Sequence, residues 1–393
     1  MKMKSLSISG IGGIEDLVLN FNSNMNIICG PNGIGKTTIL ECIAQSFTFN
    51  SLTYVRKKAD HERGSWELST TDGEVYSVQK TNFHPNEDQS IQEPRIGYKK
   101  AKNIIYIKTQ RSFDYIQLTS ITSDIRDINE DERMLLTGMP ITDAKNWFVS
   151  RHLWSAHNDA LTTAQIHNLQ AAKSIFNKTD PGISFSRVKG GTNDILLKQH
   201  DGTEIYFEYL SSGYKAVIFI LLGLIKEIEH RFSNDNLEIE DFDGVVLIDE
   251  LDLHLHPQWQ TSILSVLNEI FPKAQFITTT HSAHIIQASD PNQIISLARN
   301  NHGLVYQRDL ESSNYGFKGW TVEEILTDVM GLQETRSLLF VEAMEQFELA
   351  LDKENFNSAQ NAYNELNEML HPENTLRKLL KIQLASLGSV IND

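Results

Sequence analysis

From Met3 to Ser9 apolar and polar side chains alternate, the period of a half-buried strand. Gly10, Gly12 and Gly13 turn the chain, and Leu17, Leu19 and Phe21 resume the alternation as a second strand. Met25 to Cys29 is a short continuous apolar strand, followed by a glycine-rich loop and a helix from about Thr37 to Phe47. Two alternating runs between Trp66 and Thr81 flank Asp72-Gly73, a strong hairpin signal. Asn82 to Lys102 is polar and aperiodic, the pattern of a loop, and Ile104 to Thr109 is again an apolar strand.

Between Ile121 and Lys178 the period becomes helical, which reads as a helical segment inserted into a sheet domain. Strands resume at Ile183 to Val188, Ile195 to Lys198 and Glu204 to Phe207. Strand and helix then alternate up to about Leu310, with apolar strands at Val245 to Ile248 and Gln275 to Thr280. A largely parallel sheet is expected. Ala216 to Ile225 is uninterruptedly apolar, but it is about half of a bilayer span and reads as a buried core helix. Trp320 to Asp393 reads as helical throughout. Its stretch FNSAQNAYNELNEML spaces small and aromatic residues as in a tetratricopeptide-like hairpin, and one such unit builds no solenoid. A helical pair packed on the core is the expectation, with partner docking as the alternative.

Charge narrows the class. The 393 residues hold 35 basic and 51 acidic side chains, a net of −16, so the chain as a whole repels nucleic acid. The segment from Trp320 carries 5 basic and 13 acidic side chains. Basic residues cluster only at Tyr54 to Lys58 and Lys99 to Lys102, and both clusters read as solvated faces, which leaves DNA contact weak or partner-dependent. Cys29 and Cys42 make no disulfide framework or four-ligand zinc site, and both are expected buried. The five tryptophans share no period, so packing in the core or at an interface is expected. MKMKSLSISG lacks the apolar core of a signal peptide, so a cytoplasmic chain is expected.

The chemistry centres on Gly30-Pro31-Asn32-Gly33-Ile34-Gly35-Lys36-Thr37, a full G-x-x-x-x-G-K-[ST] match between an apolar strand and a helix. Glycines let backbone N–H groups curl around phosphate, and the helix start adds positive potential. Lys36 then neutralises phosphate oxygens and the Thr37 hydroxyl ligates Mg²⁺. Downstream, Val245 to Ile248 ends in Asp249 and Glu250, where the first would hold the metal and the second would polarise water as general base. Leu210-Ser211-Ser212-Gly213 presents hydroxyls at the start of the apolar helix. His281 and Gln110 end strands within reach of a γ-phosphate and a metal. Arg111 reads either as a phosphate contact or as the partner of an acid.

This order of motifs resembles the ABC-type ATPases, in the SMC, RecF and OLD branch. The resemblance implies an α/β fold: an ABC-type P-loop NTPase head with a mixed sheet, an inserted helical segment and a C-terminal helical tail. Residues 1–118 would form the N-terminal part of the head with P-loop and Q-loop, and 119–180 the insert. Residues 181–310 would carry the signature, Walker B and the switch histidine, and 311–393 the tail that serves oligomer or partner docking. ATP and Mg²⁺ are the implied ligands. Gly30, Asn32, Gly33, Gly35, Lys36, Thr37 and Thr38 would surround the phosphates, and Thr37, Gln110 and Asp249 the metal. Glu250, His281 and Lys36 would be catalytic. Ser211, Ser212 and Gly213 would act in trans on a nucleotide bound to a second copy, giving a homodimer with ATP sandwiched between heads. Tyr214 stands where the family has Gln or Glu, and His256 where transporters have the D-loop Asp.

Within that branch, the long stretch between Gly30 and Gly213 argues against a transporter subunit, and no membrane partner is expected. The chain lacks the heptads and CxxC hook of the double-strand-break repair ATPases, and its helical end lacks the acidic strands of a TOPRIM nuclease. The motif GWTVEEILTDVMGLQETRS with the following hairpin resembles the ATPase subunits of bacterial anti-phage systems of the Septu type. That resemblance implies slow ATP hydrolysis, higher homo-oligomers, and a separately encoded HNH-type nuclease as partner. A RecF-like repair ATPase and a nucleotide sensor with little turnover share the motifs and remain as alternatives.

Overall fold

Strands β1 (Met3–Ile11) and β2 (Ile14–Asn20) form an antiparallel hairpin whose alternate residues, Leu6, Ile8, Leu17 and Leu19 among them, point into a core. The computed structural model describes residues 1–49, 55–81, 91–93, 96–111, 117–118, 120–121, 129–141, 143–311, 313–332 and 335–391. It divides into two units, Met1–Leu332 and Gln333–Asp393.

After β2 come β3 (Met25–Cys29), the P-loop and α1 (Lys36–Gln45). Strands β4 (Gly64–Thr70), β5 (Val75–Lys80) and β6 (Ile91–Glu93) extend the first hairpin into a five-stranded antiparallel sheet, ordered β2-β1-β4-β5-β6. Strand β7 (Ile104–Ile107) starts another layer, and α2 (Glu130–Thr137), α3 (Ala144–Trp154) and α4 (Thr163–Thr179) follow it. Strands β8 (Ile183–Lys189), β9 (Asp194–Gln199) and β10 (Glu204–Tyr206) make a small antiparallel sheet before the long α5 (Ser212–Arg231). Then β11 (Val245–Ile248), α6 (Pro257–Ile270), β12 (Gln275–Thr279), α7 (Ala283–Ala288), β13 (Ile294–Arg299) and β14 (Val305–Gln307) complete the central sheet. Its order is β14-β13-β3-β12-β11-β7, parallel except for β14 at the edge.

The central strands separate two cores, because successive side chains of a strand point to opposite faces. Ile28, Ile104, Tyr106, Val245 and Leu247 face α1 and the antiparallel sheet. Ile27, Cys29, Ile105, Ile107, Val246 and Ile248 face α3 to α7. Continuous apolar runs are what a strand covered on both faces requires. Ala216 to Ile225 of α5 is buried throughout, at roughly 1.5–3 kcal/mol for each large side chain. Among the described residues no helix is long and apolar enough to cross a membrane.

Four sequence expectations need correction. The presumed loop Asn82 to Lys102 carries β6 and a 3₁₀ turn at Gly97–Asn103; its residues 82–90 and 94–95 lie outside the described residues. β6 is held by main-chain pairing to β5, which leaves no side-chain period to read. The final segment is not helical throughout. A short helix, α8 (Val322–Glu324), passes into a π-turn at Ile325–Val329, and residues 331–332 and 335–337 are non-helical. Ile325, Val329 and Met330 belong to the head's core, so the first unit runs past residue 310 to Leu332. Beyond it, α9 (Leu338–Asp352), α10 (Phe356–Met369) and α11 (Thr375–Ile391) share a core of their own around Phe340, Phe347, Leu366 and Leu380, three helices rather than a pair.

Candidate nucleotide site

β3 ends at buried Cys29, and the loop after it turns with φ of 142° at Gly30, 70° at Gly33 and 109° at Gly35. L-residues rarely adopt such angles. At Gly30 a Cβ would also come 2.5 Å from the Leu297 carbonyl oxygen, so glycine is required twice over. Lys36 opens α1, is 6% exposed, and donates from Nζ to the carbonyls of Gly30 at 2.9 Å and Pro31 at 3.1 Å. Burial lowers its pKa, opposed by the charges of Cys29, Asp249, Glu250 and Asp252. Asn32, Gly33 and Thr37 are exposed and Thr38 half-buried. Arg299 donates from Nη2 to the Gly33 carbonyl at 3.0 Å.

Parallel pairing of β11 with β7 and β12 places Asp249 and Glu250 at the strand ends that face this loop. Asp249 is anchored by its N–H to the Ile107 carbonyl at 2.9 Å. Thr37 donates from Oγ1 towards Asp249 Oδ2 at 3.0 Å and Oδ1 at 3.2 Å. A hydroxyl and a carboxylate side by side are oxygen donors of the kind that would suit Mg²⁺. Glu250 is half-buried and has a φ of 50°, a left-handed conformation costing roughly 1–2 kcal/mol. Thr279 holds this turn: its hydroxyl donates to Asp249 Oδ1 at 2.7 Å and accepts from the Glu250 N–H at 2.7 Å, while its carbonyl accepts from Leu251 at 2.8 Å.

His281 follows β12 and is half-buried. Its N–H donates to Asp252 Oδ1 at 3.0 Å, and Thr280 Oγ1 donates to the same oxygen at 2.6 Å. Burial, then the nearby Lys36 cation, lowers the imidazole pKa. One carboxylate therefore ties the switch histidine to the Walker B turn. Gln110 is exposed beyond β7, and no contact among the described residues brings it against Asp249 or Thr37. Among the described residues Arg111 makes no carboxylate pair. Its guanidinium donates to the main-chain carbonyls of Lys108, Asp249 and Glu250.

Ser211 caps α5, its Oγ accepting from Tyr214 N at 3.3 Å, and both Ser211 and Ser212 are exposed. Gly213 is buried against the LDLHLHP turn, where a Cβ would stand 3.0 Å from His256 N and 3.3 Å from the His254 carbonyl oxygen. Tyr214 is turned inward and donates to the Phe176 carbonyl at 2.7 Å, so its position is filled by packing. His256 caps α6 ahead of Pro257. Among the described residues no hydrogen bond links the signature serines to the P-loop of the same chain.

The basic clusters are largely matched by acids. Lys58 pairs with Glu15 and Asp60, Lys100 with Asp72 and Glu74, and Lys102 with Asp235. Tyr54 lies outside the described residues. Cys29 and Cys42 are buried and free, and Trp66 and Trp147 are core side chains bonded to Ser46 and Glu229.

Over 99% of its length the chain is 47% identical to the Septu protein PtuA of Bacillus thuringiensis, and it covers 99% of that relative. The chain belongs to the PtuA family. A second Septu protein PtuA, from Bacillus mycoides (strain KBAB4), is 32% identical across 81% of this chain and 43% of its own length. The Retron Ec83 probable ATPase of Escherichia coli is 26% identical across 87% of this chain and 81% of that protein. Two family models match: an AAA domain over residues 5–139, and an AAA domain described as putative AbiEii toxin, Type IV TA system, over 95–287. This PtuA-family chain carries residues around its site that motif reading passed over. Thr279 and Asp252 are the main ones. Three consecutive threonines closing a fully buried strand, and an acid set between leucines, are the signals that would have drawn attention to them.

Proposed function

We propose that the chain binds and hydrolyses ATP as the regulatory subunit of an anti-phage defence complex, gating a separately encoded HNH-type nuclease through ATP-dependent engagement of two heads. The observation that carries the chemistry is the meeting of Thr37 with Asp249 at 3.0 Å beside the strained Glu250 turn. P-loop N–H groups and Lys36 would take the β- and γ-phosphates, and Thr37 with Asp249 would hold Mg²⁺, which when bound would neutralise charge on the phosphate oxygens. Glu250 takes the proton of the attacking water. His281, kept neutral by burial and by Lys36, offers an N–H to the γ-phosphate.

Exposed Ser211 and Ser212 at a helix start suit a phosphate held by a second copy, so the active unit is a dimer of heads. The tail, with its own core, is the element we assign to higher assembly or partner docking. The two relatives named Septu protein PtuA support the defence role, and the relative named a probable ATPase supports turnover. The test is purification from the native locus followed by ATP turnover. A stoichiometric nuclease whose DNA cleavage changes with ATP, and loses that dependence in Lys36→Ala, is the expected result. A chain recovered alone that binds DNA under ATP moves it to the repair class. A chain that binds ATP and is insensitive to Glu250→Gln is a sensor.

A further inference from the structure

Arg111 is 8% exposed although the residue before it, Gln110, is open to solvent. Its guanidinium turns inward beneath the Walker B turn. Nε donates to the Lys108 carbonyl at 2.9 Å, and Nη2 donates to the carbonyls of Asp249 and, at 3.2 Å, Glu250. Nη1 is buried with no hydrogen-bond partner among the described residues. A buried arginine with carboxylates nearby normally forks onto one of them. Here the fork goes to main chain instead, so the side chains of Asp249 and Glu250 stay available to other ligands. The charge still counts, since Asp249, Asp252 and Glu250 all act on it and oppose the fall in pKa to about 10 that burial imposes.

Glu250 is the residue that needs such support. Its left-handed φ persists only where surroundings over-determine it. Thr279 holds the N–H side of the turn and Arg111 the carbonyl side. We infer that Arg111 is a positioning residue for Glu250: by bonding the carbonyls of the two peptide units that flank the Glu250 Cα, it fixes the direction in which the Glu250 carboxylate leaves the strand end. The inference rests on the proposed hydrolysis. It adds that the segment after β7, which carries Gln110, reaches Glu250 through main chain one residue further on, at Arg111.

The test compares Arg111→Gln and Arg111→Lys with wild type in the full chain, measuring kcat together with the Kd of a non-hydrolysable ATP analogue, after thermal melting confirms folding at the assay temperature. Arg111→Lys keeps the charge and most of the stem but not the fork, and it serves if Arg111→Gln does not fold. The expected result is a fall in kcat of about tenfold or more, as for a displaced general base, with nucleotide affinity within about twofold of wild type. Unchanged kcat overturns the inference, and so does a parallel loss of affinity and turnover, which marks a merely structural arginine. Wild type without turnover would remove the hydrolysis reading and this inference together, whereas active wild type with indifferent variants removes the inference alone.

Discussion

Thr279 donates its hydroxyl proton to Asp249 Oδ1 at 2.7 Å, and the Thr279 hydroxyl oxygen accepts the main-chain N–H of Glu250. One buried hydroxyl thus aligns the Asp249 carboxylate and fixes the turn that carries Glu250. Thr279→Val keeps the shape and removes both bonds, leaving the Glu250 N–H without its acceptor. The expected cost is about 1–3 kcal/mol of stability, read from a denaturant midpoint. Turnover should fall and the Mg²⁺ concentration for half-maximal activity should rise. A variant with wild-type midpoint and metal dependence would contradict this role.

Gly213→Ala tests the junction between signature and Walker B. Its Cβ would meet His256 N at 3.0 Å and the His254 carbonyl at 3.3 Å, so the LDLHLHP turn must move. Nucleotide binding by the isolated P-loop should survive, because Lys36 and Thr37 lie elsewhere. ATP-dependent association of heads should weaken, as light scattering with and without ATP would show. Loss of binding with intact association would place the glycine in the wrong site.

Much of this was legible in the sequence where side-chain period or spacing carries the information. β3, β7 and β11 are apolar runs because both their faces are covered, and the P-loop glycines announce themselves by their positive φ requirement. β6 and the π-turn at Ile325–Val329 were not legible, since main-chain pairing and a local register shift leave no periodic mark. Thr279, Asp252 and Arg111 act through partners 28 to 139 positions away. Only the folded sheet brings these together. Of the alternatives for Arg111, pairing with an acid is replaced by bonds to main-chain carbonyls.

His281 should titrate below its ordinary value, because burial and Lys36 both oppose the proton. The sign for stability follows. The unfolded chain binds the proton more readily, so this group costs nothing above about pH 6.5 and removes stability as pH falls below it. Histidine NMR on the wild type and on His281→Gln, used to assign the signal, checks it. A titration at or above the ordinary histidine range would contradict the placement.

Phe347 is fully buried in the core shared by α9, α10 and α11. Phe347→Ala should destabilise that unit by about 3–5 kcal/mol while leaving ATP binding by the head unchanged. Proteolysis of the tail and nucleotide titration would be measured on the same sample. Impaired ATP binding would show that the head depends on the tail core.

On the proposed function the nucleotide site is composite and needs two copies of the chain. The most direct measurement co-expresses Lys36→Ala and Ser212→Arg chains under different tags, isolates the mixed oligomer and assays ATP turnover beside each homo-oligomer. The mixed species holds one intact pairing of P-loop with partner signature, so it should hydrolyse ATP while both homo-oligomers stay silent. A mixed oligomer as inactive as its parents, alongside active wild type, would contradict sharing of the site between heads.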